Sequence, residues 1–320
     1  MTDETRPANA DLHAAFAGVF TALVTPFRRG EVDFEALGRL IDRQIAAGVR
    51  GLVPVGTTGE AATLSPEEAG AVIRFCVERS AGRAFVLAGA GSNATEKAIH
   101  AAQAAAEAGA DGLLVVTPYY NRPSQEGLRL HYGRIAEAVS LPIMLYSVPG
   151  RTGVEISPAT AGALARSHAN IVGIKEAGGR CERIGALREA CGTDFIIHSG
   201  DDGLTLPFLS LGAIGVTSVV SNYAPEAMVA LCRAWQAGDT AQALSLHEAL
   251  RPLFDGFFVE SNPGPVKAAL AETGAIAAEM RLPLAEPGLD GMAALRDALA
   301  RFGATGAASL QKNAQDRQNP

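Results

Sequence analysis

Short, continuous apolar runs alternate with longer amphipathic stretches along most of the chain. Eight runs stand out, at residues 20–24, 51–55, 85–88, 112–116, 142–145, 171–174, 195–198 and 215–219. Their last core residues fall near 24, 55, 88, 116, 145, 174, 198 and 219, giving intervals of 31, 33, 28, 29, 29, 24 and 21 residues. That spacing matches one strand followed by one helix. The runs do not alternate with polar residues, which is the pattern of parallel strands covered on both faces.

The stretches between the runs read as helices. Phe34, Leu37, Leu40, Ile41 and Ile45 follow helical spacing, and Gly48 is placed to close that helix. Ser65-Pro66-Glu67-Glu68 reads as an N-cap, a first-turn proline and a capping-box glutamate; Asn93 with Glu96 repeats the pattern, and Ser157-Pro158 starts another helix. Eight strand–helix units in series predict an α/β fold, a (β/α)₈ TIM barrel, with a doubly wound open sheet as the alternative. Beyond Pro225 the strand signals stop. The expected organisation is an N-terminal extension at 1–14, a barrel at 15–225, a C-terminal helical extension at 226–306 and a disordered polar tail at 307–320.

Composition and charge narrow the chemistry. Apolar residues fill 48% of the 320 positions, enough for a sizeable core. A formal net charge of −7 argues against non-specific nucleic-acid binding, and 6% aromatic residues against base-stacking platforms. Cys76, Cys181, Cys191 and Cys232 form no CxxC pair or zinc spacing and read as small buried thiols in a reducing compartment. The six histidines include no HxH or HExxH spacing, so no metal site is expected. Asp3 and Glu4 stand where a signal peptide would be basic, so the expected location is cytoplasmic. Residues 203–225 carry no charge, but Pro207, Gly212 and Gly215 interrupt them. They are read as a short buried helix, a glycine turn and a strand rather than a membrane span.

In such a barrel chemistry gathers where strands end. Lys175 follows the apolar run at 171–174, so it belongs to a buried strand end. Lost hydration there disfavours the charged ammonium, and a neutral amine is what imine formation with a ketone requires. An ion pair with Glu176 or Asp201 is the plainer explanation for such a lysine. Tyr146, at the end of the fifth run, could exchange protons with an imine; alone it would read as a core tyrosine. Gly56-Thr57-Thr58-Gly59 offers backbone N–H groups and two hydroxyls to a small carboxylate, or is an ordinary strand-to-helix turn. Arg151, in a Pro/Gly-constrained loop, suits a second carboxylate, or is a solvated surface arginine. Gly89, Gly91 and Ala94 fit GxGxxG/A with Asp111 further on, which would suit a nicotinamide enzyme. The motif follows the third run instead of the first, and Asp111 precedes a strand, so that reading is set aside.

Taken together, TALVTPF, GTTGEAATLS, GAGSNAT, VTPYYNRPSQEGL, LYSVPGRTG, GIKEA, SGDD and ESNPGPVK, in this order, resemble the dihydrodipicolinate synthase/N-acetylneuraminate lyase family of class I pyruvate aldolases. The resemblance runs from about residue 20 to 283. It implies that Lys175 forms an imine with pyruvate, which tautomerises to an enamine. It also implies that Thr57 and Thr58 hold the pyruvate carboxylate, with Thr57, Tyr146 and Tyr120 forming a proton relay. Tyr120 would reach across a dimer interface into the neighbouring subunit's site. Arg151 would receive the carboxylate of L-aspartate 4-semialdehyde, and Gly200, Asp201 and Thr217 would line the site. The implied product belongs to lysine and diaminopimelate biosynthesis, and the implied assembly is a homotetramer, a dimer of dimers. No metal, nicotinamide or phosphate cofactor is implied, and neither a nucleic-acid nor a membrane partner.

The chain departs from the family's usual YNVPSRTG at Ser147 and Gly150, which keeps Tyr146 and Arg151 in register. Lysine-inhibited members carry serine, histidines and a glutamate around an allosteric pocket. The matching positions here are Ala61, Pro66, Ala69 and Lys97, with Asn93 and Tyr119 kept. A cation at Lys97 opposes an effector's ammonium, so weak or absent feedback by lysine is expected. Two other functions stay open from the sequence. One is a related aldolase or dehydratase for another 2-keto acid, such as a 2-keto-3-deoxy sugar acid. The other is a non-catalytic pyruvate-binding barrel.

Overall fold

The computed structural model describes residues 9–316, with side chains from residue 12 to 304. Eight parallel strands close into a barrel: β1 (Gly18–Ala22), β2 (Gly51–Val53), β3 (Phe85–Gly89), β4 (Gly112–Val116), β5 (Ile143–Ser147), β6 (Ile171–Glu176), β7 (Ile196–Ser199) and β8 (Gly215–Ser218). Each strand pairs with its sequence neighbours, and β8 returns to β1. The fold is therefore the expected (β/α)₈ barrel, and the open doubly wound sheet is excluded. No helix among the described residues is long and apolar enough to cross a membrane.

Strand boundaries moved for local reasons. β2 ends at Val53 instead of Val55, because Pro54 has no N–H for the ladder and Val55 turns into left-handed backbone at φ +56°. β6 runs on through Lys175 and Glu176, so the lysine is held within the ladder itself. A two-stranded hairpin, Phe27–Arg28 with Glu31–Val32, follows β1 and had no counterpart among the predicted elements.

The predicted helices form where the capping signals lie. The helix Phe34–Ala47 ends at Gly48 in left-handed conformation, and Pro66–Ser80 starts with a full Ser65/Glu68 capping box. Thr95–Glu107 departs from expectation: its N-cap is Ala94, without a side-chain cap, so Asn93 does not play that part. Residues 203–225 form the helix Thr205–Ser210, a turn at Gly212 and β8, as read from the sequence. The last helix, Leu289–Asp316, continues into the segment expected to be a disordered tail. Ala307, Ala308, Leu310, Gln311 and Lys312 are good helix formers, and no proline interrupts them before Pro320. Residues 317–320 lie outside the described residues, as do 1–8 of the expected N-terminal extension.

Inside the barrel, Val53, Leu87, Leu114, Met144 and Ile196 form the core. The N-terminal helix Asn9–Phe16 plugs the bottom. There the Phe16 ring stacks on Phe20 at 5.2 Å between centroids and meets Phe85 at 4.8 Å. A larger apolar cluster joins the outer strand faces to the surrounding helices. The barrel floor is therefore sealed, and the open end is where the strands terminate.

Candidate active site

A cavity of about 400 Å³ opens at the C-terminal ends of the strands, with Thr57, Tyr119, Tyr146, Arg151, Thr152 and Asn262 in its wall. Tyr146 and Lys175 are register partners on β5 and β6, and both are 6% exposed. Lys175 Nζ lies 4.2 Å from the centroid of the Tyr146 ring. Lys175 is not itself part of the cavity wall; Tyr146 is.

The ion pairs that would have explained Lys175 away are not formed. Glu176 is taken by Arg183 at 2.9 Å and by the Gly178 N–H at 2.7 Å. Asp201 accepts from the Gly203 N–H at 2.9 Å and caps a short 3₁₀ turn. Among the described residues, no carboxylate lies within ion-pair distance of Lys175. Its aliphatic stem rests against the backbone of Gly200, where a Cβ would come within 3.1 Å of Lys175 Cε and 2.6 Å of Ala177 Cβ.

His198, the register partner of Lys175 on β7, is completely buried. Its Nε2 lies 2.8 Å from the Phe16 carbonyl, which can only accept, so Nε2 carries the proton and Nδ1 accepts from the Thr217 hydroxyl at 3.2 Å. Burial pushes this imidazole down to about 4, against the Phe16 hydrogen bond. Thr217, 1% exposed, is thus anchored at its side chain. Asp202 is also buried; its Oδ2 accepts from the Val219 and Val220 N–H groups at 2.9 and 3.1 Å. Burial pushes its carboxyl up to about 6 despite those hydrogen bonds.

The two threonines differ. Thr57 lines the cavity, whereas Thr58 is 3% exposed and its Oγ1 accepts from Asn262 Nδ2 at 2.9 Å. Arg151 Nη2 donates to the Asn262 carbonyl at 3.3 Å. Asn262 therefore joins the threonine loop, 204 residues before it, to the arginine loop, 111 residues before it. It sits inside ESNPGPVK, a matched motif from which no site residue was drawn.

Other expected residues stand apart. Tyr120 is 92% exposed in left-handed backbone at φ +74°, outside the cavity wall that its neighbour Tyr119 joins. Gly200, Asp201 and Thr217 are likewise outside that wall, with Gly200 against Lys175 and Thr217 against His198. Ser147 and Gly150, the departures from the family's usual run, are also not in the wall. Ser147 Oγ accepts from the Ile156 N–H at 3.4 Å, and a Cβ on Gly150 would meet nothing within 4 Å. Asp111, the acidic residue of the GxGxxG reading, accepts from the Val86 N–H at 2.8 Å just before β4, at the opposite end of the strands. Among the described residues, no group of three His, Cys, Asp or Glu side chains is placed to hold a metal.

Reasoning from the sequence also missed a buried pair. Glu60, the last residue of GTTGE, and Lys267 of PVK are both fully buried at the side chain and meet at 2.5 Å. Burial pushes the Lys267 amine down against the pull of Glu60. Both lay in matched motifs, but no spacing rule connects residues 207 positions apart.

Residues 15–302 match the family model for the dihydrodipicolinate synthetase family. The 4-hydroxy-tetrahydrodipicolinate synthase of Nitratidesulfovibrio vulgaris strain DP4 is 53% identical over 288 residues, covering 90% of this chain and 99% of that protein. That of Oleidesulfovibrio alaskensis is 51% identical over 269 residues, covering 84% and 92%. The solved structure of the corresponding synthase from Methylacidiphilum fumariolicum SolV superposes with a TM-score of 0.91 at 47% identity, covering 92% of this chain and 99% of that one. A sealed barrel with its strand-end lysine against a tyrosine ring, and agreement along nine-tenths of the sequence, lead to one assignment: this chain belongs to the dihydrodipicolinate synthetase family.

Proposed function

We propose that this chain condenses pyruvate with L-aspartate 4-semialdehyde to give 4-hydroxy-tetrahydrodipicolinate, a step toward diaminopimelate and lysine. The observation that carries the reading is Lys175 Nζ held 4.2 Å from the Tyr146 ring with no carboxylate partner among the described residues, at the open end of the barrel. Relatives about half identical to the chain carry this activity in their names.

In this reading the keto acid passes the Tyr146 ring to reach Nζ. The amine adds to the ketone carbon, and loss of water leaves the imine. A proton leaves the methyl carbon, and the enamine so formed attacks the aldehyde carbon of the second substrate. The amino group of that substrate then displaces Nζ, closing the ring and freeing the lysine. Thr57 and Thr58 receive the pyruvate carboxylate, and Thr57, Tyr146 and Tyr120 pass protons. Arg151 at the mouth receives the carboxylate of the aldehyde. Gly200, Asp201 and Thr217 line the lysine side. No cofactor is needed, because the imine itself is the electron sink.

The exposure of Tyr120 supports a working place on a neighbouring subunit, within a homotetramer built as a dimer of dimers. The proposed location is the cytoplasm, where free thiols such as Cys76 and Cys232 persist.

Borohydride reduction in the presence of pyruvate, followed by peptide mass spectrometry, tests the reading. A reduced pyruvate adduct is expected on Lys175, and turnover with L-aspartate 4-semialdehyde is expected when the product is coupled to its reductase. An unmodified Lys175 peptide from folded protein overturns the mechanism.

A further inference from the structure

The loop that carries Thr57 and Thr58 is bracketed by two residues in left-handed backbone, Val55 at φ +56° and Glu60 at φ +57°. A β-branched residue enters that region only where its surroundings hold it there. Gly89 makes the room: a Cβ at that position would lie 2.0 Å from the Val55 carbonyl oxygen. Four hydrogen bonds from distant parts of the chain then hold the loop. Thr25 Oγ1 donates to the Gly59 carbonyl at 2.7 Å, and Asn262 Nδ2 donates to Thr58 Oγ1 at 2.9 Å. Glu60 accepts from Lys267 Nζ at 2.5 Å and from the Arg281 N–H at 3.0 Å.

Lys267 is a junction in its own right. Its Nζ also donates to the Thr25 carbonyl at 2.9 Å and lies 4.5 Å from the centroid of Phe27. The Arg281 guanidinium is 4.5 Å from that same centroid. One buried ammonium thus ties the segment after β1, the end of the GTTGE loop and the C-terminal helical region together. Buried ion pairs contribute little net stability, because desolvation offsets most of the attraction. Direction is what such a pair supplies: the carboxylate has one place to be. The chemistry proposed above uses neither residue.

We propose that Glu60 and Lys267 are positioning residues that set the Thr57–Thr58 loop for the carboxylate of the keto acid. The inference rests on the reading of Thr57 and Thr58 as the contacts to that carboxylate. It deepens that reading by assigning the C-terminal helical region a part in pyruvate binding.

The test is Lys267→Met in the full chain. It is read by the pyruvate dependence of borohydride trapping at Lys175, by both substrate KM values and by thermal unfolding. The half-saturating pyruvate concentration is expected to rise about tenfold, as for one lost charge-assisted contact. The KM for the aldehyde is expected to stay within about twofold while unfolding stays cooperative. Glu60→Gln, which keeps an acceptor for the Arg281 N–H, is expected to shift pyruvate less than Glu60→Leu. That ordered pair carries the test if Lys267→Met fails to fold. Equal shifts in both KM values, or a lowered melting temperature with no shift in pyruvate, overturn the positioning role. Wild-type protein run alongside separates the two readings. An unlabelled wild type overturns the account of the site, whereas a labelled wild type with unshifted variants overturns the clamp alone.

Discussion

Lys175 Nζ sits over the face of Tyr146, 4.2 Å from its ring centroid, and the two residues are paired in register across β5 and β6. The contact uses the ring, while proton exchange would use the hydroxyl, so one substitution separates the two. Tyr146→Phe keeps the packing around Lys175 and removes the acid/base group. Turnover is expected to fall about 10²- to 10⁴-fold, with the melting temperature little changed. A variant within a few-fold of wild type in the coupled assay removes Tyr146 from the relay.

Arg151 reaches the cavity from the short helix after β5 and is steadied by the Asn262 carbonyl. Arg151→Ala is expected to lower kcat/KM for the aldehyde by about 10- to 100-fold, the loss of hydrogen bonds to a charged group. Borohydride trapping of pyruvate should be unaffected. Intact turnover of L-aspartate 4-semialdehyde would favour a different aldehyde for this site.

Tyr120 projects from the surface, outside the cavity wall of its own chain. If it works on a neighbour, two defective proteins can repair each other. A co-expressed mixture of Tyr120→Phe and Lys175→Ala chains is expected to recover about one quarter of wild-type activity, from mixed dimers with one complete site. Activity no higher than the average of the two parents argues that Tyr120 acts within its own chain.

Lys97 is an exposed cation in the first turn of the helix Thr95–Glu107. It stands where lysine-sensitive relatives are expected to offer an anion. Sub-millimolar L-lysine is therefore expected to leave the initial rate unchanged. Inhibition in that range would place the effector elsewhere.

Two buried imidazoles make the fold acid-sensitive. Burial pushes both His131 and His198 down to about 4, so between that value and 6.5 the unfolded chain binds protons that the folded chain refuses. Their contribution is present above 6.5 and lost as the pH falls, at about 2 kcal/mol for each between pH 7 and 5. Asp202, pushed up to about 6, acts in the opposite direction, because its ionisation in the fold is disfavoured as the pH rises. It returns about 1 kcal/mol over the same interval. Urea unfolding at pH 7 and pH 5 should show a net loss, and His131→Asn should reduce that loss by about 2 kcal/mol. An unchanged slope in the variant would mean that His131 titrates in the fold as it does in water.

The barrel is legible in the sequence. Eight continuous apolar runs about thirty residues apart admit few parallel architectures, and capping signals such as Ser65-Pro66 and Gly48 act within a single turn. Local chemistry misled where a longer contact or propensity prevailed. Asn93 looked like a cap but is not one, and the segment from Ala307 looked too polar to order yet continues a helix. The placement of Lys175 and Tyr146 at strand ends was also readable, because a strand end follows directly from where an apolar run stops.

What the chain by itself determined, then, was the succession of strands and helices and the residues that each strand delivers to the open end. Only the tertiary structure decided their partners. Glu176 turned to Arg183 and left Lys175 without a carboxylate, His198 fixed Thr217, and Asn262 and Lys267 came from beyond the barrel to hold the threonine loop. The physical reason is distance along the chain. Helix and strand signals arise from neighbours a few residues apart, whereas a hydrogen bond between residues 58 and 262, or an ion pair between 60 and 267, exists only once the barrel has closed around it.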